Sequence, residues 1–496
     1  MEVMTETKEK QTDPVIEHSF STRLKEFGED VEFHGVRHLF RDNSIVTKVT
    51  WILLFLCGCS WLTYQIHDRI IYYYQFPHIT KIDKLYVPSL DFPTITICNI
   101  NTFRRHKLNE YDLLHYGTSL NILDENWTLL HPEHYDKAFD DWVYSINWTD
   151  VEIHDRSINH SMEEMYERAG HQIEDMLIYC KWKQQECSVA NFTLINTHYG
   201  RCYQFNSGKD GVKHQSFKGG KANGLKLYLN VEELEYLNYM EASDLGFKIL
   251  AHDQDEPPLI QELGFGVTTG NHYFIALETE RVTSLPDPYG NCEEDHKLDH
   301  YDHYSIPACR IECETLIVEE KCSCRLVEMH GDHGIRVCTA EEYHDCALPT
   351  LESITESDTC VCQNPCELTQ FQHSISSVKL RESAVEMIHG HTSSNINLTE
   401  FKSVEFIEKN LLVVNLFFDS LNYQYIEQTV AYPGVSLLSD VGGQMGLCIG
   451  ASILTVLHLV QFAIGEIIKK FQKRENKEVN TNVIHVASAN PVDDKL

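Results

Sequence analysis

Two apolar segments, 49–66 and 441–464, are the only stretches long enough to cross a bilayer, and between them lie 14 of the 17 cysteines. Crossing roughly 30 Å of hydrocarbon takes about 20 predominantly apolar residues in a helix. VTWILLFLCGCSWLTYQI comes close to that length with no charge inside it. The even cysteine set from Cys98 to Cys366 belongs in an oxidising compartment, because cytosolic thiols are kept reduced. Cys57, Cys59 and Cys448 fall inside the apolar segments. The chain therefore reads as cytosol, membrane, a large disulfide-stapled exterior, membrane and cytosol.

Charge sets the direction of threading. Lys48 abuts the first segment, and Lys469, Lys470, Lys473, Arg474 and Lys477 follow the second. Basic residues at both outer ends place the two termini in the cytoplasm. The first forty residues hold no cleavable signal pattern, so the first span is expected to act as its own anchor. The expected divisions are a cytoplasmic stretch 1–45, a first span 46–67, an exterior 68–432, a second span 433–467 and a cytoplasmic tail 468–496. Sequons at Asn126, Asn147, Asn159, Asn191 and Asn397 all fall in the exterior and are candidate glycosylation sites. A soluble protein with two buried core helices is the alternative; the joint placement of sequons and cysteines tells against it.

The formal charge of −33 argues against nucleic acid and for a field that gathers cations. Twenty-seven histidines are many for this length, and imidazole titrates near pH 6.5, so an acidic, histidine-rich exterior can respond to modest acidification. DFPTITICNIN (91–101) reads as a strand, 103–190 as a helical subdomain, and 192–285 and 410–423 as strand-rich. Paired spacings at Cys309/Cys313, Cys322/Cys324 and Cys360/Cys362 suggest zinc or disulfides, and the topology favours disulfides. No nucleophile–base pair, phosphate loop or metal-spaced His/Asp set stands out, so neither an enzyme, a cofactor nor a bound metal is expected.

The second span is too polar for a plain anchor. Gly446, Gly450, Ala451 and Ser452 fall within seven positions, in a segment that also holds Gln444 and His458. Small residues let helices approach closely. Gly-Ala-Ser also lets a helix break, and broken backbone at that depth is tolerated when it is buried in protein or lines an aqueous path. Carbonyls facing such a path replace part of an ion's hydration shell. Packing anchor and pore both remain open on these grounds. A pore needs an oligomer, because one helix encloses nothing.

At this point the residues resemble a known family. The chain is similar to a degenerin/epithelial sodium channel subunit, and within that family to the acid-sensing ion channels, from about His34 to Ile464. The resemblance rests on His34-Gly35, FPTITICN (92–99), KGG (218–220), NGL (223–225) and QDEPPLIQELGFGV (254–267). It rests also on ACRIECET (308–315), KCSCR (321–325) and GGQMGLCIGASILTVL (442–457). It implies a two-span α+β channel subunit, assembled as a homotrimer or a heterotrimer with related subunits. A β-sheet palm and β-ball carry a helical finger, thumb and knuckle. It pairs Cys98 with Cys202, Cys180 with Cys187, Cys292 with Cys366 and Cys309 with Cys362. It further pairs Cys313 with Cys360, Cys322 with Cys346 and Cys324 with Cys338.

The resemblance also assigns roles. Gly450, Ala451 and Ser452 match the selectivity filter, Asp440 the acid at the pore mouth, and Ser439 a small residue required for closure. His34 and Gly35 match a cytosolic gating motif, Leu421 and Asn422 a desensitisation linker. Phe76 and Tyr289 match an aromatic contact that passes motion to the first span, with Tyr289 where close relatives carry tryptophan. Intact Gly-Ala-Ser implies preference for Na⁺ over K⁺, although His458 and Gln461 stand where relatives carry carboxylates.

Proton gating needs groups that bind protons more tightly in one conformation than another, each tenfold difference supplying about 1.4 kcal/mol. Facing carboxylates do this, since crowding raises a pKa from about 4 toward neutrality. Here the family's acidic pocket is depleted. Lys226 and Asn415 replace one carboxylate pair, Leu348 replaces a thumb acid beside the retained Glu352, and Lys84 and Gln424 replace two palm acids. Asp419 is kept in kind, and Glu241 and Asp244 are substitutes on a shortened finger loop. His78, Asp83 and Lys218 match residues tied to proton sensitivity. The expectation is a sodium-permeable channel of a plasma membrane, neuronal by resemblance, opened by extracellular protons through His78 and Asp83. The same channel opened by a neuropeptide, or open constitutively, is the alternative; an ATP-gated two-span channel is more remote.

Overall fold

The computed structural model describes residues 44–487 except 119, 156–161, 210, 212, 238–243, 255, 295–296, 330–333, 358 and 382–403, together with 22, 27, 28 and 38; side chains are described up to 471, apart from 154–155. A long helix α1 (Ile45–Tyr74) leads into strands β1 (His78–Tyr86), β2 (Leu90–Asp91) and β3 (Thr94–Asn99). A helical insertion follows, with α2 (Glu110–Tyr116), α3 (Lys137–Ser145), α4 (Trp148–Asp155) and α5 (Met162–Ala169). Strands then resume as β4 (Leu177–Trp182), β5 (Gln185–Cys187), β6 (Phe192–Thr197), β7 (Gly200–Phe205) and β8 (Gln215–Ser216). After them come β9 (Leu225–Asn230), β10 (Phe247–His252), β11 (Phe265–Val267) and β12 (Asn271–Thr283). Helices α6 (Ile306–Cys322) and α7 (Leu348–Ser357) precede β13 (Glu367–Lys379) and β14 (Leu411–Val430); α8 (Gly434–Ile449) and α9 (Ile453–Ala487) follow. These elements divide into two compact units, 79–429 and the pair of flanking segments 1–78 and 430–496.

In the exterior unit, a seven-stranded sheet runs β13-β12-β14-β9-β4-β5 with β1 beside β14, and a five-stranded sheet runs β11-β10-β3-β7-β6. One hydrophobic core joins them. Ile95, Ile97, Phe205, Phe247 and Ile249 come from the smaller sheet, and Leu225, Leu227, Ile275, Val414, Leu416 and Phe418 from the larger. Alternate residues of β9 face inward, as a half-buried strand requires. The first six residues of β14 are buried on both faces, because Leu411 and Val413 enter a second cluster with Ile178, Tyr228 and Ile407. A strand covered on both sides reads as a nearly continuous apolar run, here LLVVNLFF.

The helical insertion has its own core, including Leu113, Phe139, Met165 and Leu237. Its helices end earlier than the sequence reading of 103–190 anticipated: LIYC is part of strand β4, paired with β9 and with β5. Sheet pairing overrides helical spacing there. Seven disulfides brace the unit, Cys98–Cys202, Cys180–Cys187, Cys292–Cys366, Cys309–Cys362, Cys313–Cys360, Cys322–Cys346 and Cys324–Cys338. These are the pairs that the family resemblance implied.

Among the described residues of the flanking unit, α1 alone is long and apolar enough to cross a membrane, while α8 and the first part of α9 meet that test only as a pair bent by 78°. A Cβ on Gly58 of α1 would lie 2.9 Å from the Cys448 carbonyl oxygen, so the missing side chain is what lets α1 and α8 touch. Cys57, Cys59 and Cys448 are free thiols.

Candidate ion pathway and gating residues

The bend falls on Gly450-Ala451-Ser452, and local chemistry explains it. Gly450 takes a left-handed φ of 67°, and its N–H donates to the Gly446 carbonyl (3.1 Å), the helix-ending arrangement that glycine adopts without strain. Ala451 N–H donates to the Met445 carbonyl (3.2 Å). Ser452 then starts the next helix. Its Oγ accepts from Thr455 N–H (3.3 Å), and its own N–H donates to Thr455 Oγ1 (3.1 Å), a reciprocal cap. One helix is closed and another opened within three residues, which leaves the last carbonyls of α8 without helical donors. Such oxygens are the groups that take over an ion's hydration shell.

At the start of α8, Tyr432 Oη donates to Asp440 Oδ2 (2.6 Å), and Ser439 Oγ donates to the Val435 carbonyl (2.9 Å). In α9, Phe27 stacks on Phe462 (4.2 Å) and meets His458 edge-on (5.8 Å). Nothing in the sequence singled out Phe27. His34 and Gly35 lie outside the described residues, as do Glu241, Asn159 and Asn397. Asn126, Asn147 and Asn191 are exposed. Phe76, two residues past α1, has a left-handed φ of 49° and packs near Tyr73 and Tyr74, while Tyr289 is half-buried in a turn of the exterior unit.

His78 and Asp83 share the exposed strand β1. Five positions along a strand is roughly 17 Å and an odd number, so their side chains leave opposite faces. Asp83 and His78 are therefore not neighbours along β1. Lys218 and Asp419 are brought to adjoining backbone: a Cβ on Gly219 would stand 2.5 Å from the Asp419 carbonyl oxygen, and Gly220 N–H donates to the Phe418 carbonyl (2.8 Å). Residues 419–422 form an excursion of β14, since Leu277 pairs with Phe418 but Thr279 with Tyr423. Leu421 and Asn422 sit on that excursion, where the Leu421 carbonyl accepts from Val87 N–H (3.1 Å). Asp244 and Glu352 are both exposed.

Lys226 and Asn415 are register partners across β9 and β14, with Lys226 Nζ 4.9 Å from the Tyr228 ring centroid. Burial, then Lys226 and Lys221, pushes His272 down to about 4. A cationic patch thus occupies this part of the sheet. Two groups that the sequence reading missed titrate unusually. Burial, then Asp253, pushes Glu256 up to about 7. Burial pushes His252 down to about 4; its Nδ1–H donates to the Asp253 carbonyl (2.8 Å), and its Nε2 accepts from Thr96 Oγ1 (2.8 Å). Glu256 lines a cavity of about 460 Å³ with Leu263, Phe265, Arg310 and Phe371.

Among the described residues, a disulfide-braced unit of β-sheets and a unit with one membrane-length helix and one broken apolar helix pair are the parts of a two-span membrane protein. The amiloride-sensitive sodium channel family matches residues 27–462, and the chain belongs to that family of ion channels. It is 40% identical over 455 residues to acid-sensing ion channel 2 of Homo sapiens, covering 90% of this chain and 86% of that one. It is 37% identical over 491 residues to acid-sensing ion channel 1C of Danio rerio, covering 95% and 90%. Acid-sensing ion channel 1 of Gallus gallus is 38% identical over 465 residues, covering 92% and 86%.

Proposed function

We propose that this chain forms the pore of a trimeric, sodium-selective cation channel of the plasma membrane, opened by extracellular protons. The observation that carries the reading is the break at Gly450-Ala451-Ser452, with its 78° bend and left-handed glycine. Carbonyls left without helical donors at membrane depth require either a protein partner or an aqueous path, and copies converging on this break supply both. The intact tripeptide supports preference for Na⁺ over K⁺. The names of the relatives support protons as the stimulus, with His78 and Asp83 as candidate sensors acting separately on β1.

Whole-cell recording during rapid steps from about pH 7.5 to about pH 5 tests the stimulus. An inward current that reverses near the sodium equilibrium potential, and is lost in His78→Ala, is the expected result. No current from protein present at the cell surface overturns proton opening. The Lys226–Asn415 pair, standing where facing carboxylates were expected, favours a second reading in which a peptide opens the same pore. Amidated short peptides applied at constant pH separate the two.

A further inference from the structure

We propose that His131, Glu133 and His134 form a binding site for a divalent transition-metal ion of the zinc class on the helical insertion. Their donor atoms all lie within 4.8 Å of one another. His131 Nδ1 is 3.4 Å and His134 Nε2 is 3.9 Å from Glu133 Oε1. Zinc holds nitrogen and carboxylate oxygen at about 2.0–2.2 Å in a tetrahedron, whose ligand–ligand edges are then about 3.3–3.6 Å. The His131–Glu133 edge is already at that length, the His134–Glu133 edge needs a few tenths of an ångström, and the His131–His134 edge, within 4.8 Å, closes by rotation of the exposed side chains. Two imidazoles and one carboxylate are a zinc donor set that leaves a fourth position for water. The two rings are inclined at 56° with centroids 5.7 Å apart, so they approach from different directions.

The backbone holds this set in place. Pro132–His134 is a single 3₁₀ turn with proline in its first position, which locks φ there. His134 N–H donates to the His131 carbonyl (3.0 Å), and Tyr135 N–H to the Pro132 carbonyl (3.2 Å). Buried residues pin both ends, Leu129 at 5% and Tyr135 at 8% exposure. The metal therefore meets three donors within four residues of a turn already folded, and little chain entropy is lost on binding. The site is independent of the proposed stimulus.

The test is a Co²⁺ titration of the full chain in detergent micelles, read by absorption of tetrahedral cobalt, followed by displacement with Zn²⁺. One saturable equivalent per chain is expected. His131→Ala and His134→Ala should each weaken it by at least about tenfold. Glu133→His keeps three ligands and should retain the site, which separates ligation from general damage to the fold. Absence of a saturable equivalent in the parent chain, or unchanged binding in both alanine variants, overturns the proposal.

Discussion

Gly450 is where a single side chain has most to change. Its φ of 67° costs an L residue about 1–2 kcal/mol, and a branched side chain also enters the space beside the carbonyls. Gly450→Val should abolish current or erase its preference for sodium, read from reversal potentials in sodium and potassium gradients. Glu256 and His252 make opposite contributions to stability. Glu256 is raised to about 7, so its contribution is full below the unfolded value near 4.5 and is lost as pH rises from there through about 7. His252 is lowered to about 4, so its contribution is present above about 6.5 and is lost as pH falls through about 4. Thermal unfolding of Glu256→Gln should therefore lose less stability than the parent between about pH 5 and about pH 7. His252→Gln should flatten the acid side instead. Parallel pH profiles for variants and parent would refute these assignments.

Among the elements, β14 and the 218–224 loop meet through glycine. A Cβ on Gly224 would stand 2.0 Å from the Leu416 carbonyl oxygen and 2.7 Å from the Phe417 Cβ, so the backbone must move to admit it. Gly224→Ala should cost about 1–3 kcal/mol, measured as a lowered melting temperature. Gly442→Ala, with nothing within 4 Å in the chain, should cost far less. The KGG and NGL motifs were legible as family marks, but their physical reason was not. It lies in Asp419 and Leu416, about two hundred residues away, whose carbonyls occupy the space a side chain would need. A partner outside the local window also hid β4: helical spacing in 162–180 is real, yet Leu177–Trp182 hydrogen-bonds to β9.

At the scale of the whole molecule, the proposed pore requires more than one copy. The full chain purified in detergent should have a protein mass of three times 57.4 kDa, measured by light scattering corrected for detergent; a monomer would sink the pore reading. Segment order, the oxidised exterior and the break at Gly450-Ala451-Ser452 were legible in the sequence alone, because length, apolarity, cysteine chemistry and glycine's conformational freedom are properties of short stretches. Only the tertiary structure decided that Lys226 faces Asn415 and that burial raises Glu256. Each of these depends on what the folded chain places beside a group, and desolvation and proximity are set by neighbours that local sequence does not name.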